Sequence, residues 1–424
     1  MNPSMSRSSV ERMASDDLRL LIVAQEFPYP PNHGGRADVW RRMRALQRLG
    51  CPLMLVCWCD DYDQPSADHL QMVRQVADVV HVIVKRRGWR QDSLRLARIA
   101  RGIPSHAAAR MADTAADGPL MREVRAFQPH AVFLDSPYGG VFAREVSAQL
   151  ALPLFYRSHN IEHAYFAGQA AASSSLKNRL AWNLARWHLH AYEHGLMSQA
   201  LITFDISADD IKTWQAEGIR NAHWLPPLPE AVFDAAPVST PAAGPQLLFL
   251  GNLRAPNNVR GVRWLIEDVM PLVWQRLPDA RLTIAGSSPL PEVSALIATD
   301  PRLELRANVA DAPGLMAAAG LLLNPVLSGS GVNVKTLDML MTERPIVSTP
   351  QGVAGLPASL QSLCRVAAEP AAFAAQIVDG LAAPVIDVAA RVRGREQFSL
   401  QAVAAAIDAM RRAIGRPLAD RKTA

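Results

Sequence analysis

The sequence predicts an α/β protein with two doubly wound parallel-sheet domains, and three observations lead to this fold class. With 424 residues the chain is too long for one ordinary hydrophobic core. Short apolar runs alternate with amphipathic helical patterns in both halves, which is typical of parallel strands buried on both faces. A segment rich in Pro and Ala without periodicity, residues 226–246, separates the halves. We therefore expect domains over residues 18–225 and 247–398.

Composition agrees with a soluble globular protein, since 49% of the residues are hydrophobic and 20% are charged. The formal net charge of +5 is a mild basic bias that does not imply a nucleic-acid partner. No apolar run approaches the roughly 18–20 residues needed to span a bilayer. Residues 1–17 lack the apolar core of a signal peptide and are expected to form a disordered leader. The cysteines have neither zinc nor thioredoxin spacing, so we expect buried thiols in a reducing cytoplasm: Cys51, Cys57, Cys59 and Cys364.

The first strand is predicted at Leu18–Ala24, and a proline-rich loop follows it, ending in Gly34-Gly35 before a basic amphipathic helix. Ligands of open α/β sheets bind beyond the carboxyl ends of the strands, and this loop lies there. Two adjacent glycines before a helix can approach a phosphate closely, although a plain turn is the alternative. Further strands of this half are predicted at Leu53–Trp58, Val79–Val84, Ala131–Asp135, Leu154–Arg157 and Ala200–Phe204.

Two helical segments of this half raise the question of a membrane surface. The segment Lys85–Arg110 holds eight basic residues against one acid, with Trp89 and several Leu and Ile residues between them. Such a basic amphipathic helix is typical of a contact with an anionic membrane, and the alternative is a solvated helix that packs Leu and Ile inward. In Leu176–Met197 the apolar residues are spread too evenly for a clear surface face, so we favour an interdomain or core helix.

The segment Ser158–His163, SHNIEH, directly follows a predicted strand. Its His159 is expected to project from the carboxyl end of that strand, where it can hydrogen-bond a hydroxyl or stabilise an anion. The same residues match H-x-x-E-H, a zinc-protease motif, and so do residues His190–His194. That chemistry requires both histidines on one helical face and a third ligand downstream. Because the first copy begins at a strand end and a protease needs only one copy, we predict no metal site.

In the second half, a strand from Leu247 ends at Gly251, and a loop with Asn252 and Arg254 leads into a helix that carries Arg260. The segment Leu321–Thr349 predicts a strand, a glycine turn, a helix and a second strand. Lys335 lies in the first turn of that helix, and Asp338 follows at i+3 on the same face. The glycine turn, the helix N-terminus and the lysine would hold a diphosphate, and the carboxylate would accept hydrogen bonds from a ribose. A capped loop with a solvated Lys/Asp pair is the alternative.

The stretches SHNIE, LGNLRAPNN and GSGVNVKTLD resemble the motifs of retaining GT-B glycosyltransferases of the family 4 type, the glycosyl transferases group 1 family. Many members carry a Glu-x7-Glu pattern, whereas Ser330 and Asp338 stand at its two positions here. GSGVNVKTLD is similar to a branch with Gly-Ser-Gly-Val-x-x-Lys-x-Leu-Glu. The resemblance, which extends over Leu18 to about Ile414, implies a GT-B fold with two Rossmann-like domains facing a central cleft. It also implies an acceptor site in the N-terminal domain, a donor site in the C-terminal domain, and a final helix within residues 399–424 that packs back on the N-terminal domain.

The resemblance also assigns roles to individual residues. The catalytic candidates are His159, which contacts the donor sugar in relatives, and Lys335 and Arg260, which hold the diphosphate. The peptide groups of Asn308 and Val309 are expected to pair with the edge of the donor's base. The donor-binding candidates are Gly34, Gly35, Asn252, Asn308, Val309, Gly329, Ser330, Gly331 and Asp338.

The implied function is transfer of a hexose from a UDP- or GDP-sugar, with retention and without a metal or tightly bound cofactor. The acceptor would be a saccharide or an undecaprenyl-linked saccharide in exopolysaccharide or cell-surface glycan assembly. The protein would act in the cytoplasm or at the inner face of the membrane. A non-catalytic GT-B-like scaffold that binds a nucleotide or sugar stays open because of Ser330, and a GT-B epimerase acting on UDP-sugars is a further alternative.

Overall fold

The computed structural model describes residues 18–86, 88–173, 175–233, 245–328, 331–383 and 386–415. The predicted leader, residues 1–17, and residues 234–244 of the predicted linker lie outside the described residues. The chain divides into two compact units, each treated by itself below. Unit 1 comprises the described residues up to Asp205, Ile211–Leu225 and the residues from Val403 onward, and unit 2 comprises Ile206–Asp210 and Pro226–Ala402.

Unit 1 contains a sheet of seven parallel strands in the order β3-β2-β1-β4-β5-β6-β7. Its two central strands are fully buried and are apolar apart from the last residue of the second one, Asp135, as expected for a sheet covered on both faces. The strands are β1 (Leu20–Ala24), β2 (Leu53–Asp60), β3 (Val79–Lys85), β4 (Ala131–Asp135), β5 (Leu154–Ser158), β6 (Ile202–Asp205) and β7 (Ala222–Trp224).

Helices cover this sheet, and their buried faces form one hydrophobic core with the strands around Trp58, Phe142 and Trp214. The helices are α1 (Gly34–Arg48), α2 (Ala67–Arg74), α3 (Trp89–Ala100), α4 (Ser105–Ala108), α5 (Pro119–Phe127), α6 (Gly140–Leu150), α7 (Glu162–Ala172), α8 (Leu176–Arg186), α9 (Leu189–Gln199) and α10 (Ala208–Ala216).

Unit 2 contains a second sheet, of six parallel strands in the order β10-β9-β8-β11-β12-β13. Its core packs around Phe249, Ile284 and Phe373. The strands are β8 (Gln246–Leu250), β9 (Arg281–Gly286), β10 (Leu303–Ala307), β11 (Leu321–Asn324), β12 (Ile346–Ser348) and β13 (Arg365–Val366). The helices of unit 2 are α11 (Pro256–Trp264), α12 (Met270–Arg276), α13 (Pro291–Ile297), α14 (Ala312–Ala318), α15 (Val334–Leu340), α16 (Pro350–Val353), α17 (Ala358–Gln361), α18 (Pro370–Ala382) and α19 (Val388–Glu396). The last helix, α20 (Leu400–Gly415), begins at the end of unit 2, and its residues from Val403 onward belong to unit 1.

The strand order determines where each unit can bind a ligand. In unit 1 the order reverses between β1 and β4, and in unit 2 it reverses between β8 and β11. Loops that leave the carboxyl ends of such a strand pair diverge to opposite sides and open a crevice between them. The loop after β8 contains Asn252, and the loop after β11 leads into the helix that carries Lys335. The topology therefore brings these two predicted donor-binding segments together.

Two parallel α/β sheets confirm the predicted fold class. The interpretation of Leu176–Met197 as one interdomain or core helix is wrong for its first half, because the segment forms two helices and α8 buries none of its residues. The joint between them contains His188 at a positive φ of 64°, which ends the helical path. Among the described residues, no helix is both long and apolar enough to cross a membrane. All four cysteines are free thiols, and three are buried.

Candidate functional site

In unit 2 the loop after β8 is fixed by its own asparagines. The Oδ1 atom of Asn252 accepts a hydrogen bond from the backbone N–H of Arg254 at 2.9 Å. The carbonyl of Asn252 accepts one from Nδ2 of Asn258, also at 2.9 Å. A Cβ atom on Gly286 would lie 1.6 Å from the carbonyl oxygen of Gly251, so the ends of β8 and β9 approach too closely for a side chain there. Asn252 therefore shapes the loop, and its predicted donor contact stays a prediction.

Arg260 of α11 reaches the loop after β11. Its Nη2 atom donates to Oγ of Ser328 and to Oδ1 of Asn257, both at 2.6 Å. A Cβ atom on Gly261 would lie 2.4 Å from the carbonyl oxygen of Pro325, so helix and loop touch through backbone. Two of the predicted donor-binding residues in this loop, Gly329 and Ser330, lie outside the described residues.

Gly331, the third predicted glycine-turn residue, has a φ of 72°, a left-handed conformation that favours glycine. Asn333 occupies the N-cap position of the following helix, α15, in extended conformation. The predicted strand therefore precedes the undescribed pair as β11, and the predicted helix follows it as α15.

Lys335 lies in the first turn of α15, as predicted. Its Nζ atom donates to Oδ1 of Asn258 at 2.8 Å and lies 4.6 Å from the ring centroid of Phe249. Burial lowers the pKa of Lys335 to about 7, because desolvation disfavours the charged form. Within the described part of the chain it has a neutral hydrogen-bond acceptor and an aromatic face but no ion pair with a carboxylate. A half-buried ammonium without a counter-ion is suited to receive an anion.

A buried polar network holds α15 against the end of β11. The Oγ1 atom of Thr336 donates to the carbonyl of Gly352 at 2.6 Å and accepts from Nδ2 of Asn324 at 2.9 Å. Asn324 is the last residue of β11 and also donates to the Gly352 carbonyl at 3.1 Å. Because these groups are buried, their hydrogen bonds fix the helix more firmly than exposed ones would. Lys335 therefore projects from a helix, α15, that these hydrogen bonds hold in place.

Asp338 lies one turn beyond Lys335. Its Oδ1 atom accepts a hydrogen bond from the backbone N–H of Glu230 at 3.3 Å, so part of its capacity is already used within unit 2. The prediction that Asp338 binds a ribose stays a prediction.

The prediction that the peptide group of Asn308 pairs with the base stays a prediction, and the fold limits it to one side of that group. Its backbone N–H donates to the carbonyl of Gly286 at 2.8 Å, and its side-chain Oδ1 accepts from the N–H of Ser288 at 3.2 Å. These bonds hold Asn308 in a left-handed conformation with a φ of 53°. The N–H is occupied by the fold itself, so the prediction narrows to the carbonyl of Asn308 and to Val309.

In unit 1, His159 follows the last residue of β5, as predicted, and belongs to a cluster of buried charges. Its Nε2 atom hydrogen-bonds Oδ1 of Asp135, the last residue of β4. Because an ionised carboxylate only accepts, this bond places a proton on Nε2. Arg157, fully buried in β5, donates to both oxygens of Asp38 in α1, at 2.6 and 3.0 Å. Arg42 of α1 is buried beside this pair.

Electrostatics inside this cluster favour the ionised carboxylate. Burial alone would raise the pKa of Asp135, but the neighbouring charges of His159 and Arg157 outweigh it, and this pKa lies below its usual value. Burial, together with the charge of Arg157, lowers the pKa of Arg42 to about 9. An ionised Asp135 fixes the ring orientation and tautomer of His159, and a fixed imidazole is suited to contact a hydroxyl or an anion.

Gly34 and Gly35 are the first residues of α1, after the N-cap His33. A Cβ atom on Gly34 would have no neighbour within 4 Å, and one on Gly35 would make only ordinary contacts, the nearest at 3.6 Å. Neither glycine has a positive φ. The fold of the unliganded protein therefore does not require glycine at these positions, and the predicted phosphate contact of Gly34 and Gly35 stays a prediction.

A charged cavity of about 180 Å³ lies at the carboxyl ends of β1, β2 and β3. Arg36 pairs with Glu26 at 2.9 Å and with Asp63 at 2.6 Å. Lys85 and Arg110, the two ends of the predicted membrane segment, line this cavity rather than an outer surface, and Lys85 pairs with Asp60 at 2.9 Å. The extent of that segment is therefore corrected: its exposed part lies between these two residues.

The histidines of the two H-x-x-E-H matches have other partners. Nδ1 of His163 hydrogen-bonds Glu193 at 2.9 Å, and Nε2 of His190 hydrogen-bonds Glu217 at 2.9 Å. Glu193 also accepts the backbone N–H groups of Glu162 and His163, so it caps α7. Among the described residues, no group of three or more His, Cys, Asp and Glu side chains could hold a metal ion.

Sequence reasoning missed several residues that hold the predicted ones in place. They share one property: each is polar and lies at the carboxyl end of a strand, in the loop after it, or in the first turns of the helix that follows. The sequence shows this position for Asp135, which ends an apolar run, and for Asn257 and Asn258, which follow a proline. The missed residues are Asp38, Asp135, Arg157, Asn257, Asn258 and Ser328.

Two parallel-sheet units of this topology define the GT-B class of glycosyltransferase folds, and solved structures share the fold. A glycosyltransferase from Rickettsia africae is 12% identical and matches with a TM-score of 0.63, over 95% of this chain and 100% of that one. Anabaena Alr3699/HepE in complex with UDP is 15% identical, with a TM-score of 0.60, over 92% of this chain and 100% of that one. WaaG, a glycosyltransferase involved in lipopolysaccharide biosynthesis, is 14% identical, with a TM-score of 0.53, over 90% of this chain and 95% of that one.

Part of the second half of the sequence matches a known family. Residues 244–383 match the family described as "Glycosyl transferases group 1", so unit 2 carries a domain of that family and the predicted resemblance is confirmed. A relative from Klebsiella pneumoniae, an uncharacterized 44.6 kDa protein in the cps region, is 23% identical over 376 residues. That match covers 85% of this chain and 90% of the relative.

Proposed function

We propose that this chain is a retaining glycosyltransferase that moves a hexose from a nucleotide-diphosphate sugar to a saccharide or lipid-linked acceptor in surface polysaccharide biosynthesis. The observation that carries the proposal is Lys335, a half-buried ammonium without a carboxylate partner among the described residues, within the segment that matches the family. A diphosphate supplies the counter-charge that Lys335 does not have among the described residues. The position of the relative in a cps region supports the polysaccharide setting.

The donor site is proposed in unit 2. Lys335 and Arg260 bind the diphosphate from two sides of the crevice between the loops after β8 and β11, and Asp338 binds the ribose. Val309 and the carbonyl of Asn308 meet the base. The structures of HepE with UDP and with UDP-glucose describe that protein and favour a UDP-sugar here over a GDP-sugar.

The chemistry needs stabilisation of the leaving diphosphate. The bond between the anomeric carbon and the phosphate oxygen breaks, and the acceptor oxygen bonds to the same face of that carbon. The leaving phosphate oxygen takes the acceptor's proton, so no dedicated base is required. Lys335 and Arg260 neutralise the charge that develops on the diphosphate, and this effect is usually the largest single contribution to such catalysis. His159, oriented by Asp135, is proposed to hydrogen-bond a sugar hydroxyl.

The acceptor site is proposed in unit 1, at the charged cavity of about 180 Å³. Carboxylates and guanidinium groups recognise sugar hydroxyls by paired hydrogen bonds, and Glu26, Arg36 and Asp63 form a fixed array of this kind. The enzyme is proposed to act in the cytoplasm at the inner membrane face, where a lipid-linked acceptor would be met.

The experiment is a panel of UDP-, GDP- and ADP-sugars, tested for binding and for donor hydrolysis with and without a chelator. Lys335→Ala and Arg260→Ala are each expected to weaken binding of the preferred donor by roughly 10- to 100-fold, since each removes a charged hydrogen-bond donor. Arg263→Ala is the matched control, because Arg263 lies on the same helix and pairs with Glu267 instead.

Three results would contradict the proposal in different ways. Donor binding without hydrolysis or transfer to any acceptor would favour the non-catalytic scaffold. Loss of activity in the presence of the chelator would refute the metal-independent mechanism. Absence of binding to every nucleotide sugar would refute the function itself.

A further inference from the structure

Helix α8 displays a row of large apolar side chains to solvent. Leu176, Leu180 and Leu184 follow one another at intervals of four residues, and their exposed fractions are 69%, 61% and 55%. Trp187, directly after the helix, is 53% exposed. Burying each such side chain is worth about 1.5–3 kcal/mol, so leaving all of them in water is costly. A group of this size on one helix marks an interaction surface.

The opposite face of α8 attaches the helix to unit 1. Trp182 and Ala185 pack against a small cluster with Phe166, and the rings of Trp182 and Phe166 lie 5.2 Å apart. At 3.6 residues per turn, Leu180 and Leu184 point roughly 160° and 100° away from Trp182 and Ala185 respectively. The leucine row is thus the outer face of a helix that is already anchored through its inner face.

The charges around this row have one sign. From Ser175 to Tyr192 the sequence contains no Asp or Glu, whereas Lys177 and Arg179, which lie on the two sides of the leucine row, are exposed on α8. A leucine row bordered by basic side chains matches a surface that is apolar inside and negatively charged outside. An anionic phospholipid bilayer has this arrangement, with acyl chains beneath acidic headgroups.

A second basic helix lies beside the first. The short helix α4 packs against both α3 and α8, and α3 exposes Trp89, Leu94 and Leu96. A Cβ atom on Gly102, just after α3, would lie 4.0 Å from Nδ1 of His188, just after α8. The exposed part of the segment that the sequence marks as basic and amphipathic is therefore next to a helix with the same character.

We propose that α8, with α3 beside it, is the surface by which this protein docks on an anionic lipid bilayer. The leucine row of α8 enters the headgroup region, and the basic side chains of both helices contact the acidic headgroups. The inference deepens the proposed function, since a docked enzyme meets a lipid-linked acceptor. It is tested without sugar transfer, so either proposal can fail alone.

The experiment is co-sedimentation of the full chain with phosphatidylcholine vesicles, with and without phosphatidylglycerol. Wild-type protein is expected to bind the vesicles that contain phosphatidylglycerol and to lose that binding at high salt. Leu180→Glu/Leu184→Glu is expected to weaken binding at least tenfold. Lys177→Glu/Arg179→Glu is expected to weaken it roughly fivefold for each basic residue removed.

Val388→Glu/Val392→Glu is the matched control. These residues are also an exposed apolar pair four residues apart on a helix, α19, but in unit 2, and this variant is expected to bind as the wild type does. All the substituted side chains are exposed, and circular dichroism verifies that each variant folds.

Equal binding of wild type and Leu180→Glu/Leu184→Glu to the vesicles would overturn the proposal, as would absence of vesicle binding by the wild type. Equal binding to both vesicle types would refute the role of the basic residues. Light scattering on the same samples identifies the competing occupant: a wild-type dimer that the leucine variant abolishes, without vesicle binding, would assign this face to a second copy of the chain.

Discussion

The affinity for a nucleotide-diphosphate sugar is expected to fall as the pH rises above 7, because of Lys335. Burial lowers the pKa of its ammonium to about 7 in the free protein. A bound diphosphate favours the charged form and raises this pKa, so binding draws a proton onto Lys335. The charge contribution to binding is complete below pH 7, where the ammonium is already protonated. It is lost as the pH rises from there toward the higher pKa of the complex.

The expected magnitude follows from the fraction of charged lysine. With a pKa of about 7, roughly a tenth of the free protein carries the charge at pH 8 and roughly a hundredth at pH 9. The affinity should therefore fall about tenfold for each pH unit above 7, until the pKa of the complex is reached. The donor's own phosphates are diesters and do not titrate in this range, so the protein supplies the proton-binding group.

The assay is isothermal titration calorimetry between about pH 6 and pH 9, in two buffers of different ionisation enthalpy, which counts the protons taken up on binding. Uptake should rise from near zero to nearly one proton across this range. Lys335→Arg retains its charge and should flatten the dependence. Asn258→Asp places a carboxylate where the Oδ1 acceptor of Asn258 lies, 2.8 Å from Nζ of Lys335. Since a carboxylate favours the charged lysine, the decrease in affinity should begin at a higher pH.

Wild-type affinity that is the same at pH 6 and pH 9 would refute this reasoning. A fall in Lys335→Arg as steep as that of the wild type would assign the dependence to another group.

Three further predictions concern stability and turnover. Gly34→Ala and Gly35→Ala should leave the melting temperature unchanged or slightly higher, because a Cβ atom fits there, yet kcat/KM should fall at least tenfold if a phosphate approaches that backbone; equal kinetics would contradict the contact. Asp135→Asn should lower kcat by roughly 100-fold or more with little change in donor KM, since it releases the His159 tautomer, and steady-state kinetics measure this. Lys335→Met should stabilise the free protein at pH 7 by up to about 4 kcal/mol in urea unfolding, because the buried ammonium has lost much of its affinity for a proton; an unchanged midpoint would contradict this cost.

The fold was predictable because parallel strands buried on both faces leave a plain pattern. Predicted strands such as Ala131–Asp135 coincide with the observed β4, and Leu53–Trp58 is two residues shorter than β2. Lys335 was also predictable, because a glycine turn and the first turn of a helix are adjacent in sequence. Its partner Asn258 was not, because it lies 77 residues away and meets Lys335 only through the order of β8 and β11 in the sheet.

The error at Leu176–Met197 has a local cause. A helical period with apolar residues on all sides is typical of a buried helix, and the segment fits that pattern if it is taken as one helix. The joint at Trp187–His188 turns the chain, so that α9 buries its apolar residues and α8 does not. A positive φ at a histidine is uncommon, and no residue of the sequence signals it.

The buried ion pair of unit 1 makes more sense as a positioning device than as a source of stability. Replacing such a pair by apolar side chains is often neutral or stabilising, so its cost requires another explanation. Arg157 of β5 donates hydrogen bonds to both oxygens of Asp38 in α1. Asp135, at the end of the neighbouring strand β4, hydrogen-bonds His159. Through this pair, the helix that begins at Gly34 is held in a fixed relation to the histidine. Two predicted site segments that are more than a hundred residues apart in the chain are thereby joined by one buried guanidinium.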